Sequence, residues 1–175
     1  LEFRRVLFRS LEEEGYEVVG QTGRGDEAVD LVRELRPDAA ILDIKMPGLD
    51  GLSAARQITS DRLAAVLILT AFSQRELVEQ AREAGAIGYL VKPFQKSDLI
   101  PALELAIGRH EEMVALDAEI GDLAERLEAR KVIDRAKGAL MDQHGLGEQD
   151  AWRFLQTAAM DRRCKVHEVA ALVVA

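Results

Sequence analysis

Residues 40–51 read Ala40-Ile41-Leu42-Asp43-Ile44-Lys45-Met46-Pro47-Gly48-Leu49-Asp50-Gly51, a short apolar run that ends on a carboxylate and then breaks into Pro and Gly. Such a run favours a strand of a parallel sheet that is buried on both faces. Asp43 then stands at the carboxyl end of the strand, where open α/β sheets place their ligands. A helix cap or turn residue is the alternative reading, but Pro47 and Gly48 follow too closely for a helix to begin at Asp43.

Apolar strands alternate with amphipathic helices along most of the chain. The pattern predicts strands over 17–20, 39–42, 65–70 and 86–91, and helices over 25–35, 51–58, 76–84 and from 99 past 107. Ser73-Gln74-Arg75-Glu76 fits a capping box, and Ser97 and Asp98 are predicted to cap the last of these helices. Alternation at this rhythm indicates βαβ crossovers and a parallel sheet with helices on both faces, which is an α/β fold.

Length and composition bound the class of protein. A chain of 175 residues with 48% hydrophobic content can hold one α/β domain and a small helical appendage. No apolar run approaches the roughly 20 residues that span a bilayer, so we expect no membrane association. Cys164 is the single cysteine, and the sequence opens on no secretory pattern, so we expect a cytoplasmic protein without disulfides.

Charge is unevenly distributed along the chain. Residues 1–129 carry 15 Lys and Arg against 25 Asp and Glu, whereas residues 130–175 carry 8 against 6. The acidic body disfavours nonspecific binding of polyanions there. The mildly basic tail permits a nucleic-acid contact without requiring one.

An apolar seam follows the α/β region. Apolar residues recur at alternating intervals of three and four, at Met113, Leu116, Ile120, Leu123 and Leu127. This spacing is typical of a coiled coil of two to three heptads. We predict that residues 113–127 form a homodimer interface or an interdomain strut; packing on the chain's own sheet is the alternative.

The last segment predicts three short helices, over 130–144, 148–160 and 166–174. Ten apolar residues at helical spacing are predicted to form a small shared core: Val132, Ile133, Ala136, Leu140, Ala151, Phe154, Leu155, Ala158, Val169 and Leu172. Trp152 is predicted to seal the edge of this core, with an exposed contact residue as the alternative.

Three polar residues occupy equivalent places at the ends of predicted strands, namely Asp43, Thr70 and Lys92. The sheet brings these ends to one edge, where the residues suit phosphoryl transfer. Asp43 is the nucleophile, Thr70 offers a hydroxyl donor and Lys92 a fixed positive charge. Taken singly, Thr70 could be an ordinary β-branched strand residue and Lys92 a solvated strand end.

These motifs, with Leu69-Thr70-Ala71 and Leu90-Val91-Lys92-Pro93-Phe94, resemble the signature of two-component receiver domains, over residues 11–109. The resemblance implies a doubly wound, flavodoxin-like sheet and a sensor histidine kinase as partner. It also implies that Asp43 is the phosphoacceptor, that Thr70 and Lys92 bind the phosphoryl group, and that Thr70 and Tyr89 act as switch residues. Asp43 and the backbone carbonyl of Lys45 are implied Mg²⁺ ligands, and the Lys92–Pro93 bond is implied to be cis.

One part of the receiver pattern is missing. Receivers carry an acidic pair at the end of their first strand, and no paired acids precede Glu12 here. Residues 1–10 fit neither a strand nor a helix, so we expect an atypical or foreign segment in place of the first strand and most of the first helix. We therefore expect Mg²⁺ in intact relatives, and weak metal binding and phosphorylation in this chain.

The tail carries a second resemblance, in Arg130-Lys131-Val132-Ile133-Asp134-Arg135-Ala136-Lys137-Gly138-Ala139-Leu140-Met141, followed by Gly145, residues 151–155 and Ala158-Ala159-Met160. These residues are similar to the ANTAR domain, a three-helix RNA-binding module of antitermination regulators. The resemblance implies RNA-facing residues at Arg130, Lys131, Arg135, Lys137 and Gly138, with Arg162, Arg163 and Lys165 as additions. A solvated helix face is the alternative.

We therefore predict a response regulator with four parts: an atypical segment (1–10), a receiver (11–109), a coiled-coil linker (110–129) and an ANTAR domain (130–175). The predicted function is phosphorylation-controlled binding of RNA hairpins and transcription antitermination. The alternatives are a DNA-binding response regulator and a relay protein without a nucleic-acid role. An enzyme resembling the haloacid dehalogenases is disfavoured, because those need a second Asp two residues after the nucleophile, where Lys45 stands.

Overall fold

The computed structural model describes residues 2–71 and 75–175, and its contacts divide the chain into two units, Leu1–Ala115 and Leu116–Ala175. The elements in chain order are α1 (Glu2–Glu13), α2 (Gly25–Leu35), β1 (Ala39–Asp43), α3 (Gly51–Ser60), β2 (Ala65–Thr70), α4 (Arg75–Glu83), β3 (Gly88–Val91), α5 (Lys96–His144), α6 (Glu148–Arg162) and α7 (Val166–Val174).

The first unit is built on a parallel sheet with strand order β1-β2-β3. Ile41 lies opposite Leu67, and Leu67 lies opposite Gly88. β2 is the central strand and every one of its residues is buried. The parallel arrangement brings the carboxyl ends of the strands to one edge, as the sequence predicts.

Helices cover both faces of this sheet. Side chains alternate along a strand, so Val66 and Ile68 point to one face and join a core with α2, α3 and α4. Leu67 points to the other face and packs with Leu99 and Leu103 of α5. The predicted doubly wound α/β fold is confirmed.

The amino-terminal segment differs from its prediction, because the described residues from Glu2 onward form one helix, α1. Leu7 and Leu11, four residues apart on the helix, pack against the α5 face of the sheet. The prediction that residues 1–10 form no regular element is therefore wrong. The turn at Gly15, whose φ is +84°, follows the end of the helix as predicted.

The predicted strand over residues 17–20 is also wrong. These residues join no ladder among the described strands. Val18 packs against the α5 side of the core, while Val19 is about half exposed. A strand needs a hydrogen-bonding neighbour, and β1 pairs only with β2 in the described sheet.

Other element boundaries shift by a few residues. β3 begins at Gly88 rather than at residue 86. α5 begins at Lys96, because the carboxylate of Asp98 accepts the Gln95 backbone N–H at 2.9 Å and so caps the helix from inside it. In β1 only Ala40 and Leu42 are fully buried, since the strand lies at the edge of the described sheet. The predicted capping box at 73–76 falls largely outside the described residues.

The second unit contains the carboxyl-terminal part of α5 with α6 and α7. Its buried core consists of Ala136, Leu140, Ala151, Leu155, Ala159, Val169 and Ala170. Two of the ten predicted core residues lie outside this core, since Phe154 and Leu172 are exposed by 50% and 64%. Trp152, which was predicted to seal the core edge, is 37% exposed. The core-facing positions of α6 are 151, 155 and 159, and Trp152 and Phe154 flank this row rather than belonging to it.

Candidate functional site

An ion pair joins two strand ends of the first unit. The ammonium of Lys92, which follows β3, contacts the carboxylate of Asp43 at the end of β1. The Asp43 side chain remains 41% exposed, whereas that of Lys92 is 22% exposed. A solvent-accessible carboxylate beside a fixed ammonium can receive a phosphoryl group, because the cation offsets the charge that the transfer brings.

The loop after Asp43 folds back over the strand end. Ile44 donates its backbone N–H to Leu69 at 3.1 Å, and Gly51 donates to the Ile44 carbonyl at 2.9 Å. A Cβ at Gly51 would lie only 2.0 Å from the Asp43 carbonyl oxygen. Glycine at position 51 therefore permits the close return of the chain that frames the Asp43 carboxylate.

Asp50 fixes the end of this loop as the N-cap of α3. Its Oδ1 accepts the backbone N–H groups of Leu52 and Ser53, each at 3.0 Å, and its Oδ2 accepts the Ser53 hydroxyl at 2.7 Å. These hydrogen bonds lower the pKa of the Asp50 carboxyl below its ordinary value, and the bond from the Ser53 hydroxyl contributes most.

A charged pair beside the loop was not predicted from the sequence. Arg24 donates to Asp26 at 2.8 Å, and both side chains lie close to the position that a Cβ on Gly48 would occupy. The hydrogen bond from Arg24 lowers the pKa of the Asp26 carboxyl. Gly25 donates its N–H to the Pro47 carbonyl at 3.2 Å. The start of α2 therefore supports the functional loop, a long-range contact that no local pattern indicates.

Thr70 and Tyr89 occupy different environments. Thr70 is buried at the end of β2, and its carbonyl accepts the Lys92 backbone N–H at 2.7 Å. Tyr89 on β3 is 44% exposed. The Lys92–Pro93 bond is cis, as predicted. The switch roles of Thr70 and Tyr89 remain predictions.

The magnesium ligands that the resemblance implies are the Asp43 carboxylate and the backbone carbonyl of Lys45. Within residues 2–71 and 75–175, no three His, Cys, Asp or Glu side chains are grouped as metal ligands. Magnesium requires near-octahedral oxygen coordination, and here the Asp43 carboxylate already contacts an ammonium. The backbone N–H of Lys45 donates to Asp43 Oδ1 at 3.3 Å, and the predicted role of the Lys45 carbonyl stays a prediction.

The predicted seam on α5 is an exposed apolar stripe. Leu116, Ile120, Leu123 and Leu127 are each more than half exposed. Continuing the same spacing of three and four places charged residues on this stripe, at Arg130, Asp134 and Lys137. The apolar stripe therefore ends at Leu127, and its self-association remains a prediction.

The predicted RNA-facing residues of α5 are largely engaged with acids. Lys131 pairs with Glu128 at 2.7 Å, and Arg130 lies 4.0 Å from Asp134. Lys137 bridges Glu148 at 2.9 Å and Asp134 at 3.0 Å, and hydrogen bonds to these two carboxylates, Glu148 foremost, raise its pKa. Lys137 thus ties α5 to α6.

Arg135 and Gly138 complete the predicted RNA-facing set. Arg135 is exposed, and Gly138 is half-buried, with open space where a Cβ would stand. None of the helices in the described part of the chain combines the length and apolar character needed to cross a bilayer.

Two family models match the chain in the regions of the two resemblances. The response regulator receiver domain matches residues 2–104, which include the Asp43–Lys92 pair, and the ANTAR domain matches residues 121–174. The chain is a response regulator. It belongs to the group whose receiver domain is followed by an ANTAR domain.

Known relatives share this organisation or part of it. The transcriptional regulatory protein PdtaR of Mycobacterium tuberculosis is 55% identical over 170 residues, which cover 97% of this chain and 83% of PdtaR. The receiver domain of the response regulator NarL of M. tuberculosis is 34% identical with a TM-score of 0.58, over 61% of this chain and 89% of that domain.

A third relative contains a metal. The receiver domain of the sensor histidine kinase PA1611 of Pseudomonas aeruginosa PAO1 is 33% identical with a TM-score of 0.54, over 60% of this chain and 88% of that domain. Its structure has a magnesium ion coordinated in the active-site cleft. Receiver relatives therefore bind Mg²⁺.

Proposed function

We propose that this response regulator binds RNA hairpins through residues 130–175, acts as a transcription antiterminator, and is controlled by phosphorylation of Asp43. The observation that carries the proposal is the presence in one chain of an accessible Asp43–Lys92 pair and a region that matches the ANTAR family. The likeness to a transcriptional regulatory protein along 97% of the chain supports a role in transcription.

In the proposed reaction a sensor histidine kinase is the phosphoryl donor. An Asp43 oxygen attacks phosphorus, the bond between phosphorus and the donor nitrogen breaks with its electrons leaving on that nitrogen, and an acyl phosphate forms. Lys92 offsets the charge on the transferred group. Thr70 is proposed to donate a hydrogen bond from its hydroxyl to a phosphoryl oxygen. Tyr89, on β3, is proposed to act as the switch residue that responds to phosphorylation.

The exposed stripe from Leu116 to Leu127 supports a homodimer. Four large apolar side chains exposed on one helical stripe are stabilised when a second copy covers them. We propose that residues 113–127 form this interface. Arg130, Lys131 and Arg135 are proposed to meet RNA phosphates, because their side chains are exposed on α5.

Transcription in vitro tests the antitermination role. The DNA template encodes an RNA hairpin followed by an intrinsic terminator. The two RNA structures share sequence, so formation of the hairpin prevents formation of the terminator stem. We expect the protein to increase readthrough, because binding stabilises the hairpin at the expense of the terminator. A template with the hairpin loop deleted is the control. Equal readthrough with and without protein, under conditions where the hairpin is bound, would contradict the antitermination role.

A further inference from the structure

Helix α6 presents an exposed stripe that neither the core nor the α5 contacts use. The α6 stripe consists of Trp152, Gln156 and Met160, spaced four residues apart, and leads to Arg163 at the helix end. Trp152 is 37% exposed and Met160 is 78% exposed. Residues at this spacing share one helical face, so an apolar ring and an amide lie along one line that ends on a guanidinium.

The end of this stripe is a basic corner. Arg162, Arg163 and Lys165 are all exposed, and no ion pair involving them occurs among the residues the structure describes. Two acidic residues, Asp161 and Glu168, flank these three cations in sequence. The Glu168 carboxylate accepts the Lys165 backbone N–H at 3.2 Å. The corner therefore presents a small net positive charge, about 15 Å along α6 from the exposed indole.

The basic residues of α5 have a different environment. Lys137 is held by two carboxylates, and Lys131 is held by Glu128. Arg130 and Lys137 also continue the stripe that the proposed dimer buries between residues 113 and 127. Of the α5 set, Arg135 is exposed and is not recorded in an ion pair within the described part of the chain. The α5 face therefore offers an anion less uncompensated charge than the α6 corner does.

We propose that the α6 stripe is the reading surface for an unpaired RNA loop, with a loop base stacked on Trp152 and phosphates further along the loop bound by Arg162, Arg163 and Lys165. Recognition of single-stranded RNA combines these two chemistries, an exposed aromatic platform and a cationic track beside it. Gln156, one turn after Trp152, is placed to hydrogen-bond the edge of the stacked base. The inference rests on the proposed binding of RNA hairpins and assigns its base-contacting surface to α6.

Two probes separate base stacking from phosphate binding in the full chain. The first is a synthetic RNA hairpin with a mixed-sequence loop, and the second has the same stem closed by a loop of abasic nucleotides. Trp152→Ala should weaken binding of the first probe roughly 5- to 150-fold. The same variant should bind the abasic probe as the wild type does, because that probe offers no base to stack.

Matched variants sharpen this comparison. Trp152→Phe should retain most of the affinity, since a phenyl ring can still stack. Phe154→Ala should bind both probes unchanged, because Phe154 flanks the core row of α6 on the side opposite to Trp152. Arg162→Gln and Lys165→Gln should each weaken the binding of both probes. Each should also reduce the slope of log affinity against log salt concentration by up to about one unit.

Intrinsic fluorescence gives a readout that needs no substitution. Trp152 is the single tryptophan of the chain, so its emission reports on this site alone. We expect the mixed-sequence hairpin to quench the emission and the abasic hairpin to leave it unchanged. Circular dichroism verifies that each variant is folded.

The outcomes distinguish this inference from the proposed function. Failure of the wild-type chain to bind either hairpin would remove the RNA function itself. Binding by the wild type with equal affinity in Trp152→Ala, and without quenching, would overturn the α6 assignment alone. Loss of self-association in Trp152→Ala, measured by sedimentation, would instead assign the α6 stripe to a protein interface and would also overturn it.

Discussion

The ammonium of Lys92 contacts the carboxylate of Asp43 across 49 positions of sequence, joining the ends of β3 and β1. The strands meet through β2, whose residues pair with β1 on one side and β3 on the other. The contact follows from parallel strand order, because each of the two residues follows or ends a strand at the same edge. It provides the charged environment in which Asp43 is proposed to accept a phosphoryl group.

Phosphorylation should be confined to Asp43 and weak in this chain. A small phosphodonor with Mg²⁺ is expected to label little protein, because no group of three metal-ligating side chains surrounds Asp43 among the described residues. Intact-mass measurement with and without Asp43→Asn checks this. Asp50→Asn serves as the control, since it changes a carboxylate of the same loop that caps α3. Robust labelling of the wild type, or any labelling that survives Asp43→Asn, would contradict the prediction.

Gly51→Ala should destabilise the first unit. The added Cβ would lie 2.0 Å from the Asp43 carbonyl oxygen, which is backbone and cannot turn aside. We expect a loss of about 1–3 kcal/mol in the free energy of unfolding, as for other overpacked sites. Urea unfolding followed by circular dichroism measures it. The control is Gly108→Ala, where a Cβ has open space around it within a helix. An unchanged stability of Gly51→Ala would contradict the tight return of the loop.

Asp50→Ala should lower the free energy of unfolding by about 1 kcal/mol at neutral pH, because it removes the N-cap of α3. The pKa of Asp50 is lowered in the folded chain below its ordinary value of 3.8. Its ionised form therefore stabilises the fold above pH 3.8, and this contribution is lost as the pH falls through the folded pKa. The difference in the free energy of unfolding between the wild type and Asp50→Ala should therefore narrow as the pH falls below 3.8.

Urea unfolding from pH 7 to below pH 3.8 measures this dependence. Asp50→Asn is the matched control, because an amide oxygen can still accept the N–H groups of Leu52 and Ser53 without titrating. A gap that stays constant over the whole range would show that the charge of Asp50 contributes nothing to the cap.

The sequence predicted the strands and helices whose apolar pattern is strong, and it failed where a contact depends on another element. β2 was predicted because its residues from Ala65 to Thr70 form a continuous apolar run. The segment 17–20 has strand-like residues but lacks a neighbouring strand in the described sheet. Strand formation is decided by pairing, which a local pattern does not contain.

The carboxyl-terminal unit shows the same limit for the candidate site. Periodicity placed both Phe154 and Leu155 in the core of this unit, although the structure buries only the leucine. The ion pair of Lys137 with Glu148 spans two helices, so its charge appeared available in the sequence. By contrast, Asp43 and Lys92 were predicted together because strand ends of a parallel sheet share one edge.

Self-association should depend on the exposed stripe of α5. Leu116→Asp with Leu123→Asp should convert dimers to monomers, because each places a charge in an apolar interface. Sedimentation equilibrium across protein concentration measures the change. The control is Leu105→Asp, since Leu105 is exposed and lies outside the seam. This variant should leave the molar mass of the sedimenting species unchanged. A wild type that remains monomeric at high concentration would contradict the interface.

Competition between RNA and DNA tests the central claim most directly. A labelled RNA hairpin is bound to the full chain and then challenged with unlabelled hairpin or with duplex DNA of matched sequence, over a range of salt concentrations. We predict that hairpin RNA displaces the label at far lower concentration than duplex DNA, and that affinity falls as salt rises, because phosphates are bound. Equal displacement by duplex DNA, or binding of neither, would contradict an RNA-binding response regulator.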